Sequence, residues 1–272
     1  MHWSLSRTRR AFLFLLGGIL AKLGIACNSR NGSKDEPLSA ADILNRMATA
    51  YANCRTYQDS GCVTTVLMNA DGQRLDKRPF STAFVRPGRF RFAFKSSHDG
   101  RTWHRLIVWA DGPNVRTWWD IQPEVKVQSS LAMALAGATG VSGASAHTIS
   151  ALLMPESISG RRLTDLTELK RLADSQFAGA DCFRIQGRFV VNVEPAQRER
   201  LRQEMMKVTG REPESSTSGP TTLSIDKSRF LLVQIKEQTQ FDSFSTESTT
   251  SYEPLIDMPV ADNQLQFDPP GT

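Results

Sequence analysis

The first regular hydrophobic pattern in the chain has the period of an α-helix. Its apolar positions recur three or four residues apart, and they are Ile43, Leu44, Met47, Tyr51 and Cys54. That spacing gathers the side chains on one face of a helix. Ser39 stands just before the pattern with Asp42 three residues later, an arrangement that caps a helix N-terminus. One amphipathic helix is therefore predicted over about residues 40–54.

From about residue 63 the pattern changes to a period of two, the period of a β-strand with one buried face. In the clearest case Phe90, Phe92 and Phe94 alternate with basic residues, so one face of the strand is aromatic and the other cationic. Asp-Gly turns separate neighbouring strands, as in antiparallel hairpins. The predicted strands lie at 63–68, 80–86, 89–95, 103–109, 115–119, 182–191, 221–226, 229–239 and 244–253.

A helical insert interrupts the strands. Small apolar residues predict helices at 129–138 and 147–154, joined by a Gly/Ser/Ala loop, and the pattern at 163–173 predicts another. A charged helix over 195–208 and a polar loop over 211–220 form a second interruption. Strands joined by hairpins, with helices inserted between groups of strands, predict an α+β fold in which helices cover one face of an antiparallel sheet.

The composition is that of a folded globular protein, and the charge sits largely at the N-terminus. Of 272 residues, 40% are hydrophobic and 22% are charged, and the net charge is +5. Residues 1–26 hold four of the 33 basic residues and none of the 28 acidic ones, which leaves a net charge of +1 on the rest. The remaining arginines are scattered, so no nucleic-acid partner is predicted.

Residues 1–26 have the three-part plan of an export signal. Basic residues precede an apolar run over 11–21, which is too short for a membrane span of roughly 20 residues. The segment from Thr8 to Leu13 resembles the twin-arginine export signature, and a general secretory signal is the alternative. An exported, periplasmic protein is predicted, with a flexible tether over 27–38 and the main domain over 39–272.

The residues before Cys27 partly resemble a bacterial lipobox, in which the cysteine is lipidated after cleavage. Gly24 stands where that motif usually has leucine, so ordinary cleavage after Ala26, leaving a plain thiol, is the competing interpretation. If Cys27 is lipidated, the chain contacts a membrane through this anchor.

After export the other three cysteines, Cys54, Cys62 and Cys182, would lie in an oxidising compartment, where thiols tend to form disulfides. Three cysteines cannot all pair within one chain. Cys54 with Cys182 is the expected disulfide, and Cys62 could replace either of them. The four histidines are dispersed and no zinc-ligand spacing occurs, so no metal or other cofactor is predicted. No motif of catalytic residues stands out, and the chain is predicted not to be an enzyme.

Three segments, in the same order, resemble the LolA/LolB-like superfamily of outer-membrane lipoprotein carriers and receptors. They are Phe84–Phe92 with its Arg-Pro pair, Val108–Trp119 with its Asp-Gly hairpin, and the closing Phe267–Gly271. The resemblance covers most of residues 40–271 and identifies the chain as a divergent member. The insertion at 195–220 has no counterpart in it.

The resemblance implies an incomplete antiparallel barrel wrapped around a helical lid, with a hydrophobic cavity for acyl chains. Arg86 would match the arginine that hydrogen-bonds the lid, and Phe90, Phe92 and Phe94 would face the cavity. Leu152, Leu153 and Met154 would lie on a lid helix. The aromatic pattern adds Phe84, Trp103 and Trp109 as candidate ligand-binding residues.

Two functions fit this sequence. The first is noncatalytic binding of lipid or of lipoprotein acyl chains in the periplasm, as in outer-membrane lipoprotein sorting. The second is an envelope protein-interaction or stress-sensing module whose half-barrel is packed shut by its own side chains. An interior cavity of several hundred cubic ångströms would favour the first, and a filled interior the second.

Overall fold

The computed structural model describes residues 37–97, 99–190, 195–210 and 216–270. The predicted export signal, the lipidation candidate Cys27 and nearly all of the predicted tether lie outside the described residues.

The described part of the chain contains five α-helices and thirteen strands. The helices are α1 (Ala40–Asn53), α2 (Leu131–Ser142), α3 (Ser145–Leu153), α4 (Pro195–Thr209) and α5 (Asp262–Leu265). The strands are β1 (Thr56–Asn69), β2 (Gly72–Val85), β3 (Arg89–Ser96), β4 (His104–Asp111), β5 (Asn114–Trp119), β6 (Gln122–Gln128), β7 (Thr167–Phe177), β8 (Ala180–Arg188), β9 (Ser216–Ser218), β10 (Thr221–Asp226), β11 (Leu232–Phe241), β12 (Phe244–Tyr252) and β13 (Leu255–Ile256). Within the described residues, no helix is both long enough and apolar enough to cross a membrane.

All strands join one antiparallel sheet. Its order is β6-β5-β4-β3-β2-β1-β12-β11-β10-β8-β7, with β13 paired to β1 and β9 paired to β11. The sheet runs from β6 at one edge to β7 at the other and is not closed. This confirms the predicted α+β class, an incomplete antiparallel barrel wrapped around a helical lid.

The main core fills the concave face of this half-barrel. Fully buried aromatic side chains of β2 and β3 pack against buried residues of α1, α2 and α3, among them Met47, Leu135 and Leu153. Gly61 on β1 lies against the ring of Phe80 and the carbonyl of Ser251, so a side chain at this position would collide with both. The core therefore depends on close contact between strands as well as on the helices.

The sequence pattern predicted helix α1 and its N-terminal cap correctly. The Ser39 hydroxyl accepts a hydrogen bond from the Asp42 amide at 3.1 Å, and the Asp42 carboxylate accepts one from the Ser39 amide at 3.3 Å. This is the predicted capping arrangement, and it satisfies amides that the first helical turn leaves without partners. The apolar face of α1 is buried in the main core.

The helix predicted over 163–173 is wrong, because most of this segment is strand β7. A short 3-10 turn at Leu163–Asp165 leads into the strand, which pairs with β8 so that Arg171 lies opposite Ile185. Leucine, lysine and glutamate favour helices only weakly, by tenths of a kcal/mol each, and tertiary pairing overrides such preferences. Leu169 of this strand is partly buried and packs against the main core.

The lid region also differs from its prediction in detail. Helix α2 continues to Ser142, through the start of the predicted Gly/Ser/Ala loop, and ends at Gly143 in the left-handed conformation with φ of 64°. Helix α3 begins at Ser145, so two residues, Gly143 and Ala144, separate the helices. The two lid helices are thus joined by a tight turn, and strand β6, for which no prediction was made, forms one edge of the sheet.

The expected Cys54–Cys182 disulfide is absent from the structure, where Cys54, Cys62 and Cys182 are free thiols. Cys54 caps the end of α1 and donates to the Tyr51 carbonyl at 3.2 Å, whereas Cys182 lies in β8 and donates to the Ala180 carbonyl at 3.4 Å. Each thiol therefore bonds to backbone of its own segment. Burial raises the pKa of both thiols, which lowers their reactivity.

Candidate functional site

The candidate site is the concave aromatic face and the helices that cover it. On β3 the residues with even numbers point inward, and Phe90, Phe92 and Phe94 are at most 2% exposed. Phe84 of β2 lies opposite Phe90 and is equally buried. Predicted ligand-binding residues from two neighbouring strands are thus brought together on one surface.

The lid contributes the other half of this site. Leu152 and Leu153, at the end of α3, and Met154, just beyond it, are buried in the same core cluster as the phenylalanines. Helix α2 lies near β4, β5 and β6 and presents Ala134, Leu135 and Ala138 to the core. Small side chains let this helix lie close to the sheet, so in this conformation the chain's own helices cover the aromatic face.

Two predicted residues lie elsewhere. Trp109 pairs with Arg91 across β3 and β4 and therefore faces the convex side, where it packs in a separate cluster with Ile107, Trp118 and Phe267. Trp103 precedes β4 and is 45% exposed. The structure brings neither tryptophan to the aromatic face, because the register between strands, which a period of two does not specify, decides which face each strand position occupies.

Arg86 joins the ends of the two helices that flank the site. Its guanidinium donates to the carbonyls of Cys54, Tyr51 and Ala52 at the end of α1, at 2.7, 3.1 and 2.5 Å, and to Leu153 at the end of α3, at 2.8 Å. Helix C-termini leave carbonyls without intrahelical partners and carry partial negative charge, so an arginine suits both requirements. Arg86 thus joins α1 to α3, and the bond to Leu153 is the hydrogen bond that it makes to the described residues of the lid.

A buried polar cluster lies on β1 beside the aromatic face, and the sequence reasoning missed it. The Asp59 carboxylate accepts a hydrogen bond from the Tyr57 hydroxyl and one from the Thr82 amide, both at 2.8 Å. Burial raises the pKa of Asp59 to about 6, despite these two bonds. The sequence held a signal for this, because Asp59 lies an even number of positions from Tyr57 and Val63 and therefore shares their inward face.

Phe80 was also missed as a site residue, although it has the same parity as Phe84 on β2. Its ring lies 6.1 Å from that of Phe92 and 5.6 Å from that of Tyr252, measured between centroids. Phe80 thus extends the aromatic face from β3 toward β12.

Open space lies beside the aromatic face, along both margins of the lid. A cleft of about 180 Å³ separates α2 from β4–β6 and is lined by residues such as Leu106, Trp119 and Ala138. A second cleft, of about 440 Å³, separates α2 and α3 from β11. A larger open pocket of about 760 Å³ lies apart from the lid, between β1, β2 and α5.

Comparison with known proteins finds likeness in structure alone. No family model matches the chain, and no curated protein matches it. It is similar to the lipoprotein LppX from Mycobacterium tuberculosis, with 11% identity over 82% of this chain and 97% of that one and a TM-score of 0.38. It is similar to a LolA superfamily protein from Nitrosomonas europaea, with 9% identity over 85% and 99% of the two chains and a TM-score of 0.28.

A third match is the complex of MucA and MucB from Pseudomonas aeruginosa, with 14% identity over 84% of this chain and 61% of that one and a TM-score of 0.40.

Proposed function

We propose that the chain is a noncatalytic binding protein for acyl chains of lipids or lipoproteins, and that the described conformation is its closed form. The observation that carries the proposal is the Arg86 contact, which holds the lid over a continuous aromatic surface by its polar ends. An acyl chain would occupy the space between this surface and the lid after the lid moves outward.

The energetics suit such an exchange. Burying an acyl chain is worth about 0.8 kcal/mol for each methylene removed from water, so a long chain can replace the apolar contacts that the lid gives up. Two clefts already separate the margins of the lid from the sheet. Outward movement of the lid therefore breaks fewer contacts at these margins. Helix α2 contributes mainly alanine to its contact with the sheet, and small side chains give up little buried area when they leave.

The proposal includes the cell envelope as the place of action. The three-part leader and the three segments that resemble the LolA/LolB-like superfamily support export and a role in outer-membrane lipoprotein sorting. Lipidation of Cys27 would hold the domain at a membrane surface, with the predicted tether between them.

The filled interior favours a second candidate function. Phe84, Phe90 and Phe92 are fully buried by the chain's own helices, which is the arrangement expected of a protein-interaction or sensory module that never opens. The two candidates differ in whether the aromatic face is ever exposed to a ligand.

Binding of a dodecyl probe tests the proposal. The wild-type chain should bind a fluorescent dodecyl amide and should carry lipid detectable by mass spectrometry after mild purification. Phe92→Glu should weaken probe binding by about a hundredfold or more, since a charge on an apolar surface costs several kcal/mol. Phe92→Leu, which keeps the surface apolar, should weaken it only about fivefold.

The matched control is Trp109→Leu, which changes an aromatic residue on the opposite face of the same sheet and should leave probe affinity unchanged. A wild-type chain that binds no probe and carries no lipid would contradict the proposal and leave the interaction module as the better candidate.

Opening of the lid should depend on Arg86. Arg86→Gln removes hydrogen bonds to helix-end carbonyls and should weaken lid closure by about 1–3 kcal/mol. Amide hydrogen exchange over residues 150–154 should speed up, and the dodecyl probe should associate faster. Arg89→Gln is the control, because Arg89 bonds to Asp262 at 2.7 Å on the surface and makes no lid contact there. Equal exchange in both variants would show that Arg86 does not hold the lid.

A further inference from the structure

The cleft between the lid and β11 differs from the aromatic face in combining an apolar floor with a charged rim. Its floor includes Leu163 and Ile235, which belong to the main core, and Ala136 of α2. Its rim carries Arg161 and Glu237. Such a cleft suits a molecule with an apolar chain and a polar end.

Arg161 is held in place by contacts that leave much of its hydrogen-bonding capacity unused. Its guanidinium lies 4.1 Å from the centroid of the Phe189 ring, and its Nη2 lies 3.5 Å from Glu237 Oε1. That single long contact is the hydrogen bond it makes to the described residues, whereas a guanidinium carries five N–H donors. Its side chain is 51% exposed, so the remaining donors are accessible.

The loop that carries Arg161 is fixed to the lid. His147 of α3 contacts the Ser159 carbonyl through Nε2 at 2.9 Å. Gly160 has φ of 112°, and a side chain there would come within 3.0 Å of the His147 ring. The position of Arg161 is therefore set by a close contact with α3 and by the Phe189 ring.

Glu237 separates this cleft from a smaller neighbouring one. The second cleft, of about 140 Å³, shares Arg161, Phe189 and Glu237 with the first and is otherwise lined by polar residues such as Thr221 and Ser248. The Thr221 hydroxyl donates to Glu237 Oε1 at 3.3 Å. Because Glu237 also bonds to Thr221, it keeps a partner when a competing anion takes its place on Arg161. The apolar cleft and the polar cleft would then form one continuous amphipathic space.

We propose that this cleft binds the anionic headgroup of a single-chain lipid, with the phosphate or carboxylate on Arg161 and the chain directed over Leu163 and Ile235. The inference rests on the proposed function, because the chain of the ligand enters the acyl-binding space beneath the lid. It goes further by naming the ligand class: a lipid with a negatively charged end is preferred over an uncharged one.

Matched dodecyl probes test this in the full chain, at concentrations below micelle formation. Dodecyl phosphate should bind about tenfold or more tightly than uncharged dodecyl maltoside, because a charge-assisted hydrogen bond is among the stronger polar contacts. Arg161→Gln should abolish that preference while leaving dodecyl maltoside affinity unchanged. Glu237→Gln should strengthen dodecyl phosphate binding severalfold, since it removes the competing carboxylate.

The control is Arg116→Gln, which removes the same charge from an exposed position on β5 and should change neither affinity. Equal affinity of the wild type for both dodecyl probes, or an equal loss in the Arg116 variant, would overturn the headgroup site and leave acyl binding intact. Inorganic phosphate that binds as tightly as dodecyl phosphate would show a site for free anions and overturn the lipid assignment. Failure of every dodecyl probe would refute the proposed function and this inference together.

Discussion

Replacing Phe92 by alanine should lower the free energy of unfolding by about 3–5 kcal/mol, the range seen when a buried aromatic ring is removed from a packed core. Phe92 is fully buried, and its ring lies between those of Phe80 and Phe94, with centroid distances of 6.1 and 6.3 Å. The residues around it belong to different strands and to the lid, so they cannot close the gap by a local shift. Urea denaturation followed by circular dichroism gives the difference directly.

Trp103→Ala is the comparison for this measurement, because Trp103 is also a large aromatic residue but is 45% exposed. We expect its effect to stay within about 0.5 kcal/mol, as for most surface substitutions. Similar losses in the two variants would mean that the aromatic face is not the centre of the core.

The size of the Phe92 effect bears on function. If burial of the aromatic face supplies a large part of the stability of this domain, opening of the lid is a costly step that a bound acyl chain must offset. Arg86 adds hydrogen bonds at the ends of α1 and α3. Opening of the lid must break the bond to α3 as well as expose the aromatic face.

The sequence was sufficient for the parts of the fold that depend on local pattern. Alternation along 89–95 predicted the inward face of β3, and the Ser39–Asp42 pair predicted the start of α1. Both features arise from interactions between residues close in the chain. The same holds for the hairpin turns, which joined strands in the predicted antiparallel order.

Features that depend on distant partners were beyond such reasoning. Trp109 faces the convex side because of its pairing with Arg91, and the segment predicted as a helix becomes β7 because β8 lies beside it. Arg161 and Glu237 lie 76 positions apart, so nothing in the local sequence connects them. Arg86 could be assigned to the lid only through the family resemblance, since its partners come from two separate helices.

The stability of the wild-type chain should carry a pH dependence that originates at Asp59. Burial raises the pKa of Asp59 from 3.8 to about 6, so between these values the folded chain keeps a proton that the unfolded chain has lost. Because the unfolded state then binds fewer protons, the free energy of unfolding falls as pH rises from about 4 to 6 and levels off above that. Across this window the Asp59 contribution falls by about 3 kcal/mol.

Asp59→Asn should remove this fall, because the amide stays neutral while its oxygen can still accept the Thr82 amide hydrogen. Urea denaturation between pH 2 and 8 should show a difference between wild type and the Asp59 variant that grows through pH 4–6 in favour of the variant and is constant above. Asp99→Asn is the control with the opposite sign, since the Thr102 and Arg101 amides lower the pKa of Asp99 to about 2. The contribution of Asp99 to the free energy of unfolding is therefore present above pH 4 and is lost as the pH falls toward 2. Parallel wild-type and Asp59→Asn profiles would mean that Asp59 is charged in the folded chain, in contact with more water than its buried position suggests.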